Sequence, residues 1–133
     1  MEKNFTKLTV NLMVENVDDA VAWYKNVLGA QVVASVPCVI DNSKLQWAMV
    51  VFGGVSLMLQ LRSSLEGEIL ALKNMPIGGS FTMYIDVEDI NAVLKSVKGK
   101  AEIVQEMRTT FYGAHEFAIK DCNGYILAFS EHK

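Results

Sequence analysis

The sequence contains few of the residues that most often build metal, redox or thiol-based sites. It has two cysteines, Cys38 and Cys122, and two histidines, His115 and His132, among 133 residues. Because the cysteines lack a CxxC spacing, we predict two reduced thiols and no disulfide or metal–thiolate site. We expect His115 at the edge or in the core of a sheet, and His132 in a solvated tail.

Basic runs, long apolar runs and nucleotide-binding motifs are also missing. The chain carries 12 basic and 15 acidic residues, a formal charge of −3, and this argues against nucleic acid as a partner. No apolar run approaches the roughly 20 residues of a membrane span, and the polar start MEKNFTKLTV does not resemble a signal peptide. GxGxxG, P-loop and GxSxG motifs are absent. We therefore predict a soluble, cytoplasmic protein without a membrane partner.

The organisation of the chain is set by the segment from Leu8 to Gly29. From residue 8 to residue 14 two sets of residues alternate with the period of two of a half-buried strand: Leu8, Val10, Leu12 and Val14 on one face, and Thr9, Asn11 and Met13 on the other. Asn16 is expected to cap an amphipathic helix that ends at Gly29. Three further strands are predicted at Gln31–Val36, Leu45–Phe52 and Val55–Leu61, the last two joined by a Gly53-Gly54 hairpin turn.

The same order of elements returns in the second half of the chain. A strand from Phe81 to Val87 precedes a helix that Asp89 is expected to cap and that ends before Gly99. Strands are then predicted at Glu102–Arg108, Gly113–Lys120 and Ile126–Ser130, with DCNG (121–124) as the final turn.

The repeat predicts an α+β fold of tandem βαβββ modules, with two mixed four-stranded sheets and the helices on their outer faces. The first module covers residues 1–73 and ends in a short helix over Ser64–Lys73, for which Ser64 is the expected cap. Residues 74–79 form a linker and residues 80–133 the second module. A hydrophobic content of 51% suits one compact domain.

Two segments, VENVDDAVAWYKNVLGA and FYGAHEFAIKDCNGYILAF, resemble the glyoxalase/bleomycin-resistance/extradiol-dioxygenase superfamily, also called vicinal oxygen chelate proteins. The resemblance implies that the two sheets curve around a shared cavity. Cys122 and Asn123 depart from the family's usual DPDG turn, and His115 stands where arginine is common.

The resemblance also implies where a divalent metal would bind: His on the first strand of each half, and Glu on the last. In this sequence those positions fall on Thr9, Met58, Thr82 and Ala128. Hydroxyl groups and a thioether are poor ligands for hard divalent cations, and alanine has no donor. We therefore expect no metal site of the usual kind and no cofactor.

Hairpin register predicts which side chains line the cavity. A DCNG turn that pairs Asp121 with Tyr125 places Ser130 opposite Glu116, and the Gly53-Gly54 turn aligns Met58 with Met49 and Gln60 with Trp47. The predicted cavity wall consists of Thr9, Asn11, Met13, Trp47, Met49, Met58, Gln60, Thr82, Tyr84, Glu116 and Ser130. Aromatic rings, thioethers and a few hydrogen-bonding groups suit a small planar or amphipathic organic ligand.

Three functional hypotheses follow. The leading one is a metal-independent binding protein similar to the bleomycin-resistance branch, which sequesters drugs and commonly forms homodimers. Trp47 and Tyr84 would then stack on the ligand, and Asn11, Gln60, Thr82 and Glu116 would orient it. The second hypothesis is a lyase, isomerase or dioxygenase with non-standard metal ligands. The third is a dimeric scaffold with no ligand. The alternative to a ligand cavity is that Trp47 and the methionines only fill a small closed core. A lone carboxylate such as Glu116 is more typical of a surface or gatekeeping charge than of a general base.

Overall fold

The structure is a computed structural model that describes residues 2–132. The first module contains β1 (Val10–Val14), α1 (Val17–Leu28), β2 (Gln31–Pro37), β3 (Leu45–Phe52) and β4 (Val55–Leu61). A helix α2 (Arg62–Glu68) follows it. The second module contains β5 (Thr82–Asp86), α3 (Ile90–Val97), β6 (Glu102–Thr109), β7 (His115–Lys120) and β8 (Ile126–Glu131). Single 3₁₀ turns lie at Glu2–Asn4 and Leu70–Leu72.

The two modules form two four-stranded sheets with the same topology, β1-β4-β3-β2 and β5-β8-β7-β6. The β1–β4 and β5–β8 pairs are parallel and the other pairs antiparallel. This confirms the predicted α+β fold of tandem βαβββ units. Both predicted hairpin registers are also confirmed, since Met49 pairs with Met58 and Glu116 with Ser130.

The caps of α1 and α3 are those that the sequence predicts. The Asn16 side chain accepts a hydrogen bond from the Asp19 backbone N–H at 2.9 Å, and Asp89 accepts one from Ala92 at 3.1 Å. Both satisfy a backbone donor that the first turn of a helix leaves open. Helix α1 ends at a left-handed Gly29.

Several predicted boundaries are wrong. Helix α2 begins at Arg62, so Ser64 lies in its first turn and does not cap it. The Ser64 hydroxyl instead accepts a hydrogen bond from the Gln60 side chain at 2.9 Å. The helix also ends at Glu68. Strand β1 begins at Val10 rather than at Leu8.

Strand β7 begins later than the sequence predicts. It starts at His115 because Gly113 belongs to a preceding turn, in which its N–H donates to the Thr110 carbonyl at 3.0 Å. Within the described range, no helix is long and apolar enough to span a membrane.

One hydrophobic core includes residues from both modules. Leu12 and Tyr24 of the first module and Phe117 and Leu127 of the second are almost fully buried in the same cluster. Helices α1 and α3 cover one face of the sheets and contact each other. The opposite face of each sheet is therefore left for other contacts.

Buried hydrogen bonds join the two modules around the β7–β8 turn. Tyr24 of α1 donates its hydroxyl to Asp121 at 2.6 Å, and Tyr125 donates its own to the Met13 carbonyl at 2.7 Å. Asp121 also accepts the backbone N–H groups of Asn123 and Tyr125 at 2.8 and 2.9 Å. Burial, and next the Asp121 carboxylate, raise the pKa of Tyr24 well above its ordinary value, so its hydroxyl remains a donor.

Gly78, in the segment predicted as a linker (residues 74–79), lies directly over the same turn. A Cβ atom on Gly78 would lie 2.8 Å from the Asn123 carbonyl oxygen and 3.2 Å from the Gly124 Cα. Gly78 also has a φ of +86°, in the left-handed region that favours glycine. Linker and turn therefore fit together only because Gly78 has no side chain.

Candidate functional site

The face of the first sheet opposite α1 carries a polar and aromatic cleft. Asn11 aligns with Met58 across the β1–β4 pair, and Trp47 with Gln60 across the β3–β4 pair. The cleft has a volume of about 390 Å³ and is lined by Asn11, Val36, Gln46, Trp47, Met58, Gln60 and Glu68. Its size lies in the range of small-molecule pockets.

A relay of hydrogen bonds fixes the polar side of this cleft. Asn11 donates its Nδ2 to Gln60 Oε1 at 2.8 Å, and Gln60 donates its Nε2 to Ser64 Oγ at 2.9 Å. Gln60 is only 5% exposed, so both ends of its amide must be satisfied within the protein. The relay holds Asn11 in one orientation at the surface of the cleft.

The charge of the cleft restricts its ligands. Glu68 is the one charged residue among those lining it. A phosphate or carboxylate group would lose its water there without gaining a cationic partner. The cleft therefore suits neutral or cationic ligands.

The second sheet carries a different feature on its face opposite α3, a buried carboxylate that accepts three hydroxyl groups. Glu116 is 7% exposed. Its Oε2 accepts hydrogen bonds from Tyr84 at 2.5 Å, Tyr112 at 2.6 Å and Ser130 at 2.9 Å, and Arg108 lies 3.6 Å from Oε1. The bonds from Tyr112 and Tyr84 hold the pKa of Glu116 below its usual range. The bond to Glu116 is also the main cause that raises the pKa of Tyr112 to about 12.

His132 packs onto this cluster, so the expectation of a solvated tail is wrong. Its Nε2 lies 3.1 Å from Tyr84 Oη, 3.3 Å from Ser130 Oγ and 3.4 Å from Asp86 Oδ1. Its ring stacks on Tyr112 at 6.0 Å with an angle of 20° between the planes. His115, by contrast, is half-buried one position along from Glu116, on the other face of β7.

The predicted cavity residues fall into two groups. Asn11, Met13, Trp47, Met49, Met58 and Gln60 belong to the first sheet. Thr82, Tyr84, Glu116 and Ser130 belong to the second, where the last three are hydrogen-bonded together. Thr9 precedes β1.

Several site residues were not predicted. Tyr112 lies in the loop before β7, where no periodicity indicates its direction. Arg108 pairs with Glu116, but two register shifts separate this pair from the start of β6. The one sequence feature that could have indicated the contact between Tyr112 and Glu116 is their spacing of four residues.

The positions at which the resemblance implies a divalent metal do not fit one. Register places Met58 on the cleft face, and it pairs Tyr84 with Ala128 on the second sheet. With Thr9 and Thr82, the donors amount to two hydroxyls and a thioether, a set that lacks carboxylate and imidazole. Among residues 2–132, no group of three or more His, Cys, Asp or Glu side chains is placed to hold a metal ion.

Comparisons with known proteins agree with this architecture. The profile of the Glyoxalase/Bleomycin resistance protein/Dioxygenase superfamily matches residues 8–129. The mitochondrial methylmalonyl-CoA epimerase of Homo sapiens is 27% identical over 127 residues, which cover 92% of this chain and 71% of that protein.

Solved structures show the same fold at low sequence identity. TioX from Micromonospora sp. ML1 is 19% identical, with a TM-score of 0.73 and coverage of 97% of this chain and 100% of that one. A glyoxalase/bleomycin resistance protein/dioxygenase family enzyme from Burkholderia phytofirmans PsJN is 16% identical, with a TM-score of 0.76 and coverage of 94% and 97%. These likenesses establish the fold and leave the activity open.

Proposed function

This chain belongs to the glyoxalase/bleomycin resistance protein/dioxygenase superfamily, and we propose that within it the chain binds a small planar or amphipathic organic molecule without a metal. The observation that carries the proposal is the Trp47 cleft, in which an aromatic ring, a thioether and an amide relay surround about 390 Å³. The proposed ligands include planar antibiotics, which the protein would sequester.

The composition of the cleft supports this class of ligand. Trp47 is half-buried, so one part of the indole is held by the protein while another remains available for stacking. Met58 beside it is a flexible, polarisable side chain that adapts to different ring shapes. Asn11 supplies a hydrogen-bonding group that can fix the ligand's orientation.

Fluorescence titration tests the proposal, because the chain has two tryptophans in different places. Trp47 lines the cleft, whereas Trp23 lies in α1 and packs edge-on against Tyr24 at 4.9 Å. We expect planar neutral and cationic compounds to change the emission of the wild type and of a Trp23→Phe variant. Calorimetric titration, which does not depend on the Trp47 emission, should show that Trp47→Ala weakens their binding at least about tenfold, as loss of a central aromatic contact typically does.

Anionic compounds with the same ring systems serve as a control and should bind more weakly than the neutral and cationic ones. The proposal is contradicted if no compound in a broad planar panel binds. Equal binding by Trp47→Ala and wild type would also contradict it.

An enzymatic function is the second candidate, and the similarity to human methylmalonyl-CoA epimerase favours it. The Trp47 cleft is a poor fit for an acyl-CoA substrate, because its lining has no Lys or Arg to bind the phosphate groups. Metal analysis of protein purified without chelators, together with an assay on methylmalonyl-CoA, separates the two candidates. Turnover would establish the enzyme, and stoichiometric bound metal would contradict metal-independent binding.

We also propose that the protein forms a homodimer through strand β2. All seven residues of this edge strand, Gln31–Pro37, are exposed and none is charged. The other long edge strand, β6, carries Glu102, Glu106 and Arg108. Charges on an edge strand discourage pairing with a second chain, and β2 lacks them.

A charged substitution in β2 tests the dimer. Val33 is 58% exposed at a bulge in the strand, so Val33→Lys adds charge without opening the core. We expect light scattering to give a dimer for the wild type and a monomer for this variant. As a control, Val104→Lys on β6, where the side chain is 41% exposed, should remain dimeric. A monomeric wild type would disprove the dimer.

A further inference from the structure

The second sheet presents a group of aromatic rings to solvent. Tyr84 is 49% and Tyr112 50% exposed, although both hydroxyl groups are anchored on the same buried carboxylate oxygen. Phe111 contacts Tyr112 edge-on at 5.0 Å. Exposed aromatic rings that are held in place on a sheet form a rigid surface for a ligand.

Glu116 gives these rings both position and electron density. A phenol that donates a hydrogen bond to a carboxylate shifts electrons towards its ring, and so strengthens the attraction of the ring face for a cation. Glu116 is already satisfied by three hydroxyl groups and Arg108. Glu116 therefore orients the rings, and the rings themselves contact the ligand.

The His132 imidazole shows what the surface accepts. It stacks on Tyr112 at 6.0 Å, lies 6.3 Å from the Tyr84 ring centre, and approaches Asp86 at 3.4 Å. Two aromatic rings and a carboxylate around a group that can carry positive charge form the arrangement by which proteins bind organic cations. His132 is itself half-exposed, so another molecule can take its place.

We propose that Tyr84, Tyr112 and Asp86 form a subsite for an organic cation, an alkylammonium or an imidazolium, and that His132 occupies this subsite in the free protein. The ligand displaces the imidazole, takes over its contacts with the two rings and with Asp86, and adds the cation–π attraction of its own charge. Arg108 lies 3.6 Å from Glu116, so its charge is directed to the anchoring carboxylate. The subsite lies on the second sheet and does not depend on the Trp47 cleft.

Calorimetric titration with choline and with its neutral isostere 3,3-dimethyl-1-butanol tests the subsite. We expect the wild type to bind choline at least fivefold more tightly than the isostere. Tyr112→Leu removes a ring wall and should weaken choline binding at least fivefold. Glu116→Gln, which weakens the anchor of both rings, should weaken it as well. His132→Ala removes the competing imidazole and should strengthen it at least threefold.

The sign of the His132 effect distinguishes displacement from a structural role. His115→Ala, which removes the other histidine, is the matched control and should leave the affinity for choline unchanged. Trp47→Ala should also leave the affinity for choline unchanged. Failure of the proposed planar-ligand site and failure of the cation subsite can therefore be distinguished. The proposal is overturned if His132→Ala binds choline more weakly than the wild type does. It is also overturned if the wild type binds choline and the isostere equally, or if neither the wild type nor His132→Ala binds choline.

Discussion

An Asp121→Ala variant is expected to lose about 3 kcal/mol or more of its free energy of unfolding. Asp121 is 4% exposed and accepts three hydrogen bonds, from the Tyr24 hydroxyl and from the backbone N–H groups of Asn123 and Tyr125. Alanine leaves these donors without an acceptor, and each buried donor left unpaired costs about 1–3 kcal/mol. Denaturant unfolding followed by circular dichroism measures the loss.

Two further variants show which hydrogen bonds of Asp121 account for the lost free energy of unfolding. Tyr24→Phe removes only the hydrogen bond from Tyr24 to Asp121 and should cost less than Asp121→Ala. Asp41 also accepts two hydrogen bonds in a turn, both from Ser43, but it is exposed; Asp41→Ala should have a much smaller effect. Equal unfolding midpoints for Asp121→Ala and Asp41→Ala would show that the three hydrogen bonds to the buried Asp121 add no more to stability than those of an exposed turn.

Gly78→Ala is expected to destabilise the protein by about 3 kcal/mol, through two effects that add. A left-handed φ of +86° costs alanine about 1–2 kcal/mol. The new Cβ would also lie 2.8 Å from the Asn123 carbonyl oxygen, which is backbone and can move only if the β7–β8 turn moves. Overpacking of this kind typically costs about 1–3 kcal/mol. Thermal and denaturant unfolding both report the change.

The chain offers a matched control for the backbone conformation. Gly113 has the same φ of +86°, but a Cβ there would meet nothing within 4 Å. Gly113→Ala therefore measures the cost of the conformation alone, and the difference between the two variants measures the contact between linker and turn. Indistinguishable losses would mean that the linker can lift away from the turn without cost.

Sequence periodicity was sufficient for the fold because each element is determined by nearby residues. The Gly53-Gly54 and DCNG turns set the registers of their hairpins, and this places Glu116 opposite Ser130. Alternation along β1 and β5 then assigns Asn11 and Tyr84 to the faces that α1 and α3 do not cover. These inferences use only the period of two and the length of a turn.

The parts of the site that sequence could not supply depend on irregular backbone or on distant contacts. The bulges of β6 change which of its side chains face Glu116, so Arg108 cannot be assigned by counting. Tyr112 and His132 meet only because a loop and the end of β8 approach each other. The bond from Tyr24 to Asp121 joins residues 97 positions apart, and no local pattern indicates it.

The relay beneath the Trp47 cleft has a direction, and this direction gives the cleft a chemical polarity. Asn11 donates towards Gln60, and Gln60 donates towards Ser64, so the carbonyl oxygen of Asn11 is the side-chain atom left to accept a hydrogen bond from the proposed ligand. A compound that offers an N–H or O–H at this point gains a bond, whereas its N-methylated or carbonyl analogue meets an acceptor of the same kind. If the cleft binds its proposed ligands, two molecules of equal shape and ring area would be told apart by the placement of a single hydrogen atom.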